Sequence, residues 1–194
     1  MIQSETIKQL REETGAAFVD CKKVLEQTKG DINKAIEILR KQGQKIVNKK
    51  LERLTKEGLI GSYVHGNNKI AALVEVGCET DFVARNEKFK NLVHNLAMQI
   101  AAANPKYLIP EDIPAQEIEK EKEIYKEQLL KEGKPENIMD KIIEAKLAKY
   151  YQQVCLLKQP FIKDDKITVE ELIKQAIAKL SENIQIKRFI RFSL

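Results

Sequence analysis

The chain has 194 residues, 43% hydrophobic and 32% charged, with a net charge of +5. This balance predicts a soluble globular protein rich in exposed helix, and it excludes a disordered tail. No run approaches the ~18 apolar residues of a membrane span.

The N-terminus, Met1-Ile2-Gln3-Ser4-Glu5, lacks the basic start and apolar segment of a secretory signal, so an intracellular location is expected. Residues 4–39 read as three short helices. Ser4 can cap the first, which sets Ile7 and Leu10 on one face before Thr14-Gly15 breaks it. Phe18, Cys21, Val24 and Leu25 form the apolar stripe of the second, with Gly30 suited to its C-terminal end. Asp31 is a good N-cap for the third, where Ile32, Ala35, Ile36 and Leu39 follow helical spacing. From Arg40 to Lys56 that stripe thins. Arg40, Lys41, Lys45, Lys49, Lys50, Arg53 and Lys56 stand there against the single acid Glu52. This is either a solvated helical linker or a basic strip facing an acidic partner or RNA.

Two β-compatible runs, Leu59 to His65 and Lys69 to Val76, flank a Gly66-Asn67-Asn68 turn and predict a hairpin. Next comes Thr80-Asp81-Phe82-Val83-Ala84-Arg85-Asn86, where a β period switches to a helical one. Phe82 is either core tucked under this connection or an apolar tip held out between charges. A helix to about Asn104 follows, ended by Pro105. Two charged segments, roughly 115–132 and 136–153, are joined by Gly133-Lys134-Pro135 and predict an antiparallel helical hairpin. Ile118, Tyr125 and Leu129 are expected to face Ile138, Ile142 and Ala145. So thin an apolar seam suggests a projecting arm. Thr168 and Glu171 form a capping box for a further helix, and Ile184, Ile186, Ile190 and Phe192 alternate as in a third strand.

The expected fold class is therefore α+β: a three-helix module at 1–40, a basic linker at 41–56, and a core at 57–194. The core would have a small antiparallel sheet, flanking helices and the hairpin arm at 115–153.

Catalytic equipment is sparse. His65 ends a strand and His94 lies on a helix, neither in a setting that suggests a nucleophile and base, and no glycine-rich phosphate loop is present. Cys21, Cys78 and Cys155 are far apart and lack a Cys-x-x-Cys spacing. Packed thiols are expected, rather than a zinc site or a disulfide framework. No metal and no cofactor is expected, and the chain reads as a binding protein.

Leu10-Arg11-Glu12-Glu13-Thr14-Gly15-Ala16, Asp20-Cys21-Lys22-Lys23, the Thr80–Asn86 stretch and Gln159-Pro160-Phe161-Ile162 resemble, in order, the elongation factor Ts family. The resemblance implies a guanine nucleotide exchange factor for the translational GTPase elongation factor Tu, acting by binding without bond-making chemistry. It implies that Thr80, Asp81, Phe82 and Val83 dislocate Mg2+ at the partner's nucleotide site. Asp20, Cys21, Lys22 and Lys23 would hold another face of the GTPase domain, and His65 is a further candidate contact. The three-helix module would be of the ubiquitin-associated (UBA-like) kind.

Longer members carry two related core halves. This chain has material for one, as in the family's short form, so an edge strand free to pair and a homodimer giving a 2:2 complex are expected. Two departures from the family pattern are Phe18-Val19, in place of a Met pair, and Ala145, in place of Gly. The implied location is bacterial cytoplasm or an organelle such as a plastid, with no membrane contact and no direct nucleic-acid contact. Two alternatives are carried beside this reading: a stand-alone ubiquitin-associated-type module, suggested by the three helices, and an RNA-associated protein, suggested by the basic strip with Lys187, Arg188 and Arg191.

Overall fold

The computed structural model describes residues 3–194, apart from the side chains at 44–46 and 48. Met1, Ile2 and the Lys45 side chain of the basic strip lie outside the described residues. Packing groups the chain into two compact units. The first takes the chain up to Leu59, with Val76–Leu92 and Ile173–Gln185. The second takes Ile60–Glu75, Val93–Leu172 and Ile186–Leu194.

In the first unit, α1 (Ser4–Thr14), α2 (Phe18–Gln27) and α3 (Ile32–Lys50) enclose Ile7, Leu10, Cys21, Val24, Leu25, Ala35 and Leu39, all buried. These are the positions that helical periodicity places on the inner faces. Gly15 ends α1 in the left-handed region at φ +67°, its N–H donating to the Arg11 carbonyl at 2.8 Å. Asp31 caps α3 by accepting the Lys34 N–H at 3.1 Å. Ser4 does not cap α1: it is the first helical residue, and Gln3 precedes it without a side-chain cap. Phe18, expected in the inner stripe of α2, is its first residue and is largely exposed.

The third helix continues to Lys50 because its inner face continues. Leu39, Gly43 and Val47 are spaced by four, and Leu39 and Val47 are buried. A Cβ placed on Gly43 would lie 3.7 Å from the Ala178 Cβ of α8 (Val169–Leu180), so a small residue sits where two helices approach. Counting only large apolar residues makes the stripe look as if it ends at Leu39.

The sheet contains β1 (Glu57–Val64), β2 (Ile70–Cys78) and β5 (Gln185–Ser193), in the order β1-β2-β5. A hairpin joins β1 to β2: the His65 N–H donates to the Ile70 carbonyl at 2.8 Å, and Asn68 turns with φ +57°. The Leu194 N–H donates to the Lys69 carbonyl at 3.0 Å, so the end of β5 lies beside the start of β2 and the two run antiparallel. The predicted third strand is therefore present.

In the second unit, Gly61 of β1 faces α5 (Glu87–Ala103): a Cβ there would come within 2.4 Å of Val93 Cγ1. Side chains alternate along a strand, so Ile60, Ser62 and Val64 point to the opposite face. The buried Ala72 and Val74 place Leu73 and Glu75 on that same opposite face. Arg188 Nε reaches Glu75 Oε2 at 2.7 Å, which brings Ile190 and Phe192 there too. Ile60, Val64, Leu73, Ile190 and Phe192 are all exposed.

α6 (Ala115–Lys131) and α7 (Glu136–Val154) form the predicted antiparallel hairpin, turned at Gly133 with φ +67°. Leu129 of α6 is buried in their seam as expected, but the α7 side differs in phase: Met139 and Leu147 are buried, whereas Ile138 and Ala145 are exposed. At the base, Glu117 accepts from the Tyr107 hydroxyl at 2.8 Å and from the Tyr150 hydroxyl, beside the buried Ile113, Val154 and Cys155. A second, two-stranded sheet of β3 (Pro160–Phe161) and β4 (Asp164–Thr168) was not predicted. The capping box of α8 forms as expected: Glu171 Oε2 accepts the Thr168 N–H at 2.8 Å, and Thr168 Oγ1 accepts the Glu171 N–H at 3.2 Å.

Candidate partner-binding turn

Between β2 and α5 the chain makes α4, a single turn of helix over Asp81–Ala84. The connection is helical because Thr80 caps it. Its backbone is extended at φ −129° and ψ 157°, and its Oγ1 accepts the Val83 N–H at 3.4 Å. Asn86 then starts α5 by accepting the Lys88 N–H at 2.9 Å. Two residues on a helix are separated by about 200° around its axis, so burying Ala84 turns Phe82 outward. Ala84 is 6% exposed and Phe82 is 80% exposed. Phe82 is therefore a tip and not core. Asp81 Oδ2 pairs with Arg85 Nη2 at 3.0 Å on the exposed surface.

Behind the turn lies a polar network that the sequence did not reveal. The Glu79 and Thr80 N–H groups both donate to Glu182 Oε2 at 3.0 Å, and the Thr80 hydroxyl donates to Glu182 Oε1 at 2.6 Å. Glu79 Oε1 accepts the Asn183 N–H at 2.6 Å, and Glu79 Oε2 accepts from Arg53 at 3.3 Å. The Asn183 amide donates to the Leu51 and Arg53 carbonyls at 3.1 and 2.7 Å. Burial raises the Glu79 pKa, but the Asn183 N–H and the Arg53 guanidinium outweigh it and hold the carboxyl below its usual range. Burial, with the Glu182 charge second, pushes the Cys78 thiol up to about 11, and its Sγ donates to the Thr80 carbonyl at 3.2 Å. That thiol stays protonated at neutral pH and packs. Cys21 and Cys155 are likewise free and buried.

The remaining candidates fall in two places. Asp20, Lys22 and Lys23 are exposed on α2. Cys21, expected in the same contact set, is fully buried with its Sγ directed at the Ala16 carbonyl, so it cannot offer its side chain to a partner. What sequence reasoning missed is the adjacent apolar pair: Val19 is 73% exposed and Phe18 46%. Had Phe18 been placed at the helix start instead of in the stripe, its exposure would have been legible. His65 belongs to the second unit, exposed at the hairpin turn, with Nδ1 3.3 Å from the Tyr63 hydroxyl. Among the described residues, no three His, Cys, Asp or Glu side chains gather to hold a metal ion, and no helix is long and apolar enough to cross a membrane.

These features define an α+β protein that displays a capped, braced turn with an aromatic tip. Residues 3–194 match the family described as Elongation factor TS. The chain is 52% identical over 194 residues to elongation factor Ts of Carboxydothermus hydrogenoformans, covering all of this chain and 89% of that one. It is 52% identical over 194 residues to that of Thermosipho melanesiensis, covering 99% of the relative. It is 53% identical over 192 residues to that of Caldanaerobacter subterraneus, covering 99% of this chain and 96% of the relative. The chain belongs to the elongation factor Ts family.

Proposed function

We propose that this protein is the guanine nucleotide exchange factor of elongation factor Tu, promoting GDP release by binding and forming no bond itself. The observation that carries this reading is Phe82, exposed beside Asp81 on a capped turn in a member of this family. Thr80 to Val83 enter beside the partner's nucleotide. Asp81 disturbs Mg2+ coordination, and Phe82 wedges into the apolar wall of the site. The three-helix module at 1–40 holds a neighbouring face of the GTPase domain through Asp20, Lys22 and Lys23, with Phe18 and Val19 supplying apolar contact. The hairpin arm at 115–153 adds a further contact. The protein works in the cytoplasm of a bacterium, or in a plastid, and requires no nucleic acid.

Magnitudes shape the mechanism. A thousandfold faster release needs a barrier about 4 kcal/mol lower. Burying one Phe contributes about 1.5–3 kcal/mol. Phe82 is thus a hot spot within a larger interface. Linkage requires that GDP weaken the factor's binding by the factor that GDP binding is itself weakened. Nucleotide rebinding therefore ejects the factor, and turnover follows.

The chain also acts as a homodimer. Its second copy covers the exposed sheet face of Ile60, Val64, Leu73, Ile190 and Phe192, flanked by the Glu75–Arg188 pair. That face is apolar at its centre and carries both charge signs beside it, which suits pairing with itself about a two-fold axis. Coverage of the face, more than edge-strand pairing, is what the burial pattern favours.

The test is release of a fluorescent GDP analogue from elongation factor Tu with this protein substoichiometric and GDP in excess. Fast release over many turnovers is the expected result. Release no faster than without the factor would refute the reading.

A further inference from the structure

We infer that Glu182 is a positioning residue for nucleotide exchange: it sets the shape of the Asp81–Phe82 turn through Thr80 without touching the partner. The inference rests on the proposed function and adds to it a residue about a hundred positions away in sequence.

Four observations carry it, all within the first compact unit. The Glu182 carboxylate accepts three hydrogen bonds from two consecutive residues, the Glu79 N–H at 3.0 Å, the Thr80 N–H at 3.0 Å and the Thr80 hydroxyl at 2.6 Å. Those two N–H groups lie between the end of β2 and the start of α4, where no ladder or helix partner serves them. Next, the Thr80 hydroxyl has one proton, and giving it to Glu182 leaves the oxygen lone pairs to accept the Val83 N–H. The same carboxylate therefore fixes both the backbone entering the turn and the direction of its cap. Then, Glu182 is itself held, because the next residue, Asn183, is fully buried and its side chain is tied to the Leu51 and Arg53 carbonyls. Its backbone N–H meets Glu79 at 2.6 Å, so the two short segments clasp reciprocally. Finally, the outward direction of Phe82 depends on the register of a helix only four residues long. Too short to hold its own register, such a helix takes it from the cap.

A carboxylate suits this position. It accepts from several donors at once, and charge-assisted bonds to N–H and O–H groups are the strong class. Neither Glu182 oxygen is needed as a donor, so an amide in its place keeps one acceptor and loses the other.

The experiment follows nucleotide release from elongation factor Tu over a range of concentrations of the full-length chain, giving a saturating rate and a half-saturating concentration. Glu182→Ala is expected to lower the saturating rate by about tenfold, leaving half-saturation within about twofold, since the contact residues themselves are untouched. Glu182→Gln should recover part of the lost rate. Thr80→Val combined with Glu182→Ala should lose less than the two single losses summed, because the variants share the Thr80 hydroxyl–Glu182 bond; strictly additive losses would overturn the inference. Amide hydrogen exchange at Phe82 and Val83 should quicken in Glu182→Ala while amides of α2 keep their protection. An unchanged saturating rate overturns the inference. So does a fall in rate that tracks a parallel loss of thermal stability and of half-saturation, which would make Glu182 merely structural. A wild-type chain that releases no nucleotide removes the proposed function and this inference together, and that result is recognisable because it appears before any variant is made.

Discussion

Phe82 at 80% exposure contributes little to the folded state, so its removal separates function from stability. Phe82→Ala should leave the thermal midpoint within a few degrees and slow GDP release by about ten- to a hundredfold, the equivalent of one buried phenyl ring. Parallel melting curves and release kinetics check this. A variant that melts much earlier would return Phe82 to the core. At this scale the sequence was legible where cause and effect are close together. The charges flanking Phe82 raised a projecting tip as one of two readings, and only its 80% exposure decided against the core. Glu182 was not legible, since nothing local to it announces a hydroxyl that arrives from position 80. Cys21 shows the converse error. A family motif places it among contact residues, but on α2 Cys21 shares the buried face with Val24 and Leu25, in the cluster that also holds Leu10.

Helices and strands in this chain are set by small residues as much as by large ones, and two glycines make opposite predictions. A Cβ at Gly43, in the middle of α3, meets only ordinary contact at 3.7 Å. Gly43→Ala should therefore stabilise the chain by about 0.5–1 kcal/mol, through helix propensity. A Cβ at Gly61 would lie 2.4 Å from Val93 Cγ1 and 3.1 Å from the Val93 carbonyl oxygen, where β1 crosses α5. Gly61→Ala should cost about 1–3 kcal/mol by overpacking. Denaturant unfolding of both variants checks the pair of signs.

The base of the hairpin supplies a pH prediction. The Tyr150 hydroxyl first, then that of Tyr107, holds the Glu117 carboxyl below its usual value of 4.5. A carboxyl depressed in the folded state contributes its full stability above the unfolded value and loses it as pH falls through the folded value. Glu117→Gln should thus lie furthest below the wild type near neutral pH, with the gap closing under acid conditions. Thermal melts from pH 7 to about pH 3 would register it. The existence of these elements was readable from spacing and caps, as with Thr168 and Glu171. The phase of α7 was not, because Ile138 and Met139 are equally apolar and only packing chooses between them.

For the whole molecule, the exposed sheet face makes assembly testable. Sedimentation at micromolar concentration should find a dimer. Leu73→Lys, which places a charge at the centre of that face, should give a monomer of unchanged helix content. A wild-type chain that stays monomeric would rule out the second copy. The sequence reading expected one half-core to leave an edge strand free to pair with a second copy. It did not point to the sheet face, because parity along β1, β2 and β5 acquires meaning only when Gly61 is seen against Val93 and Arg188 against Glu75.

The bracing of the Thr80 turn also bears on the tempo of an encounter. A loop that must order itself on arrival spends many collisions unproductively, and its association rate suffers. Here the Glu79, Glu182 and Asn183 bonds already hold the aromatic tip in one place, so most well-aimed collisions count. Capture of the GTPase should then proceed at a rate governed by diffusion and ionic strength, and substitutions at Phe82 should be felt in how soon the two proteins part.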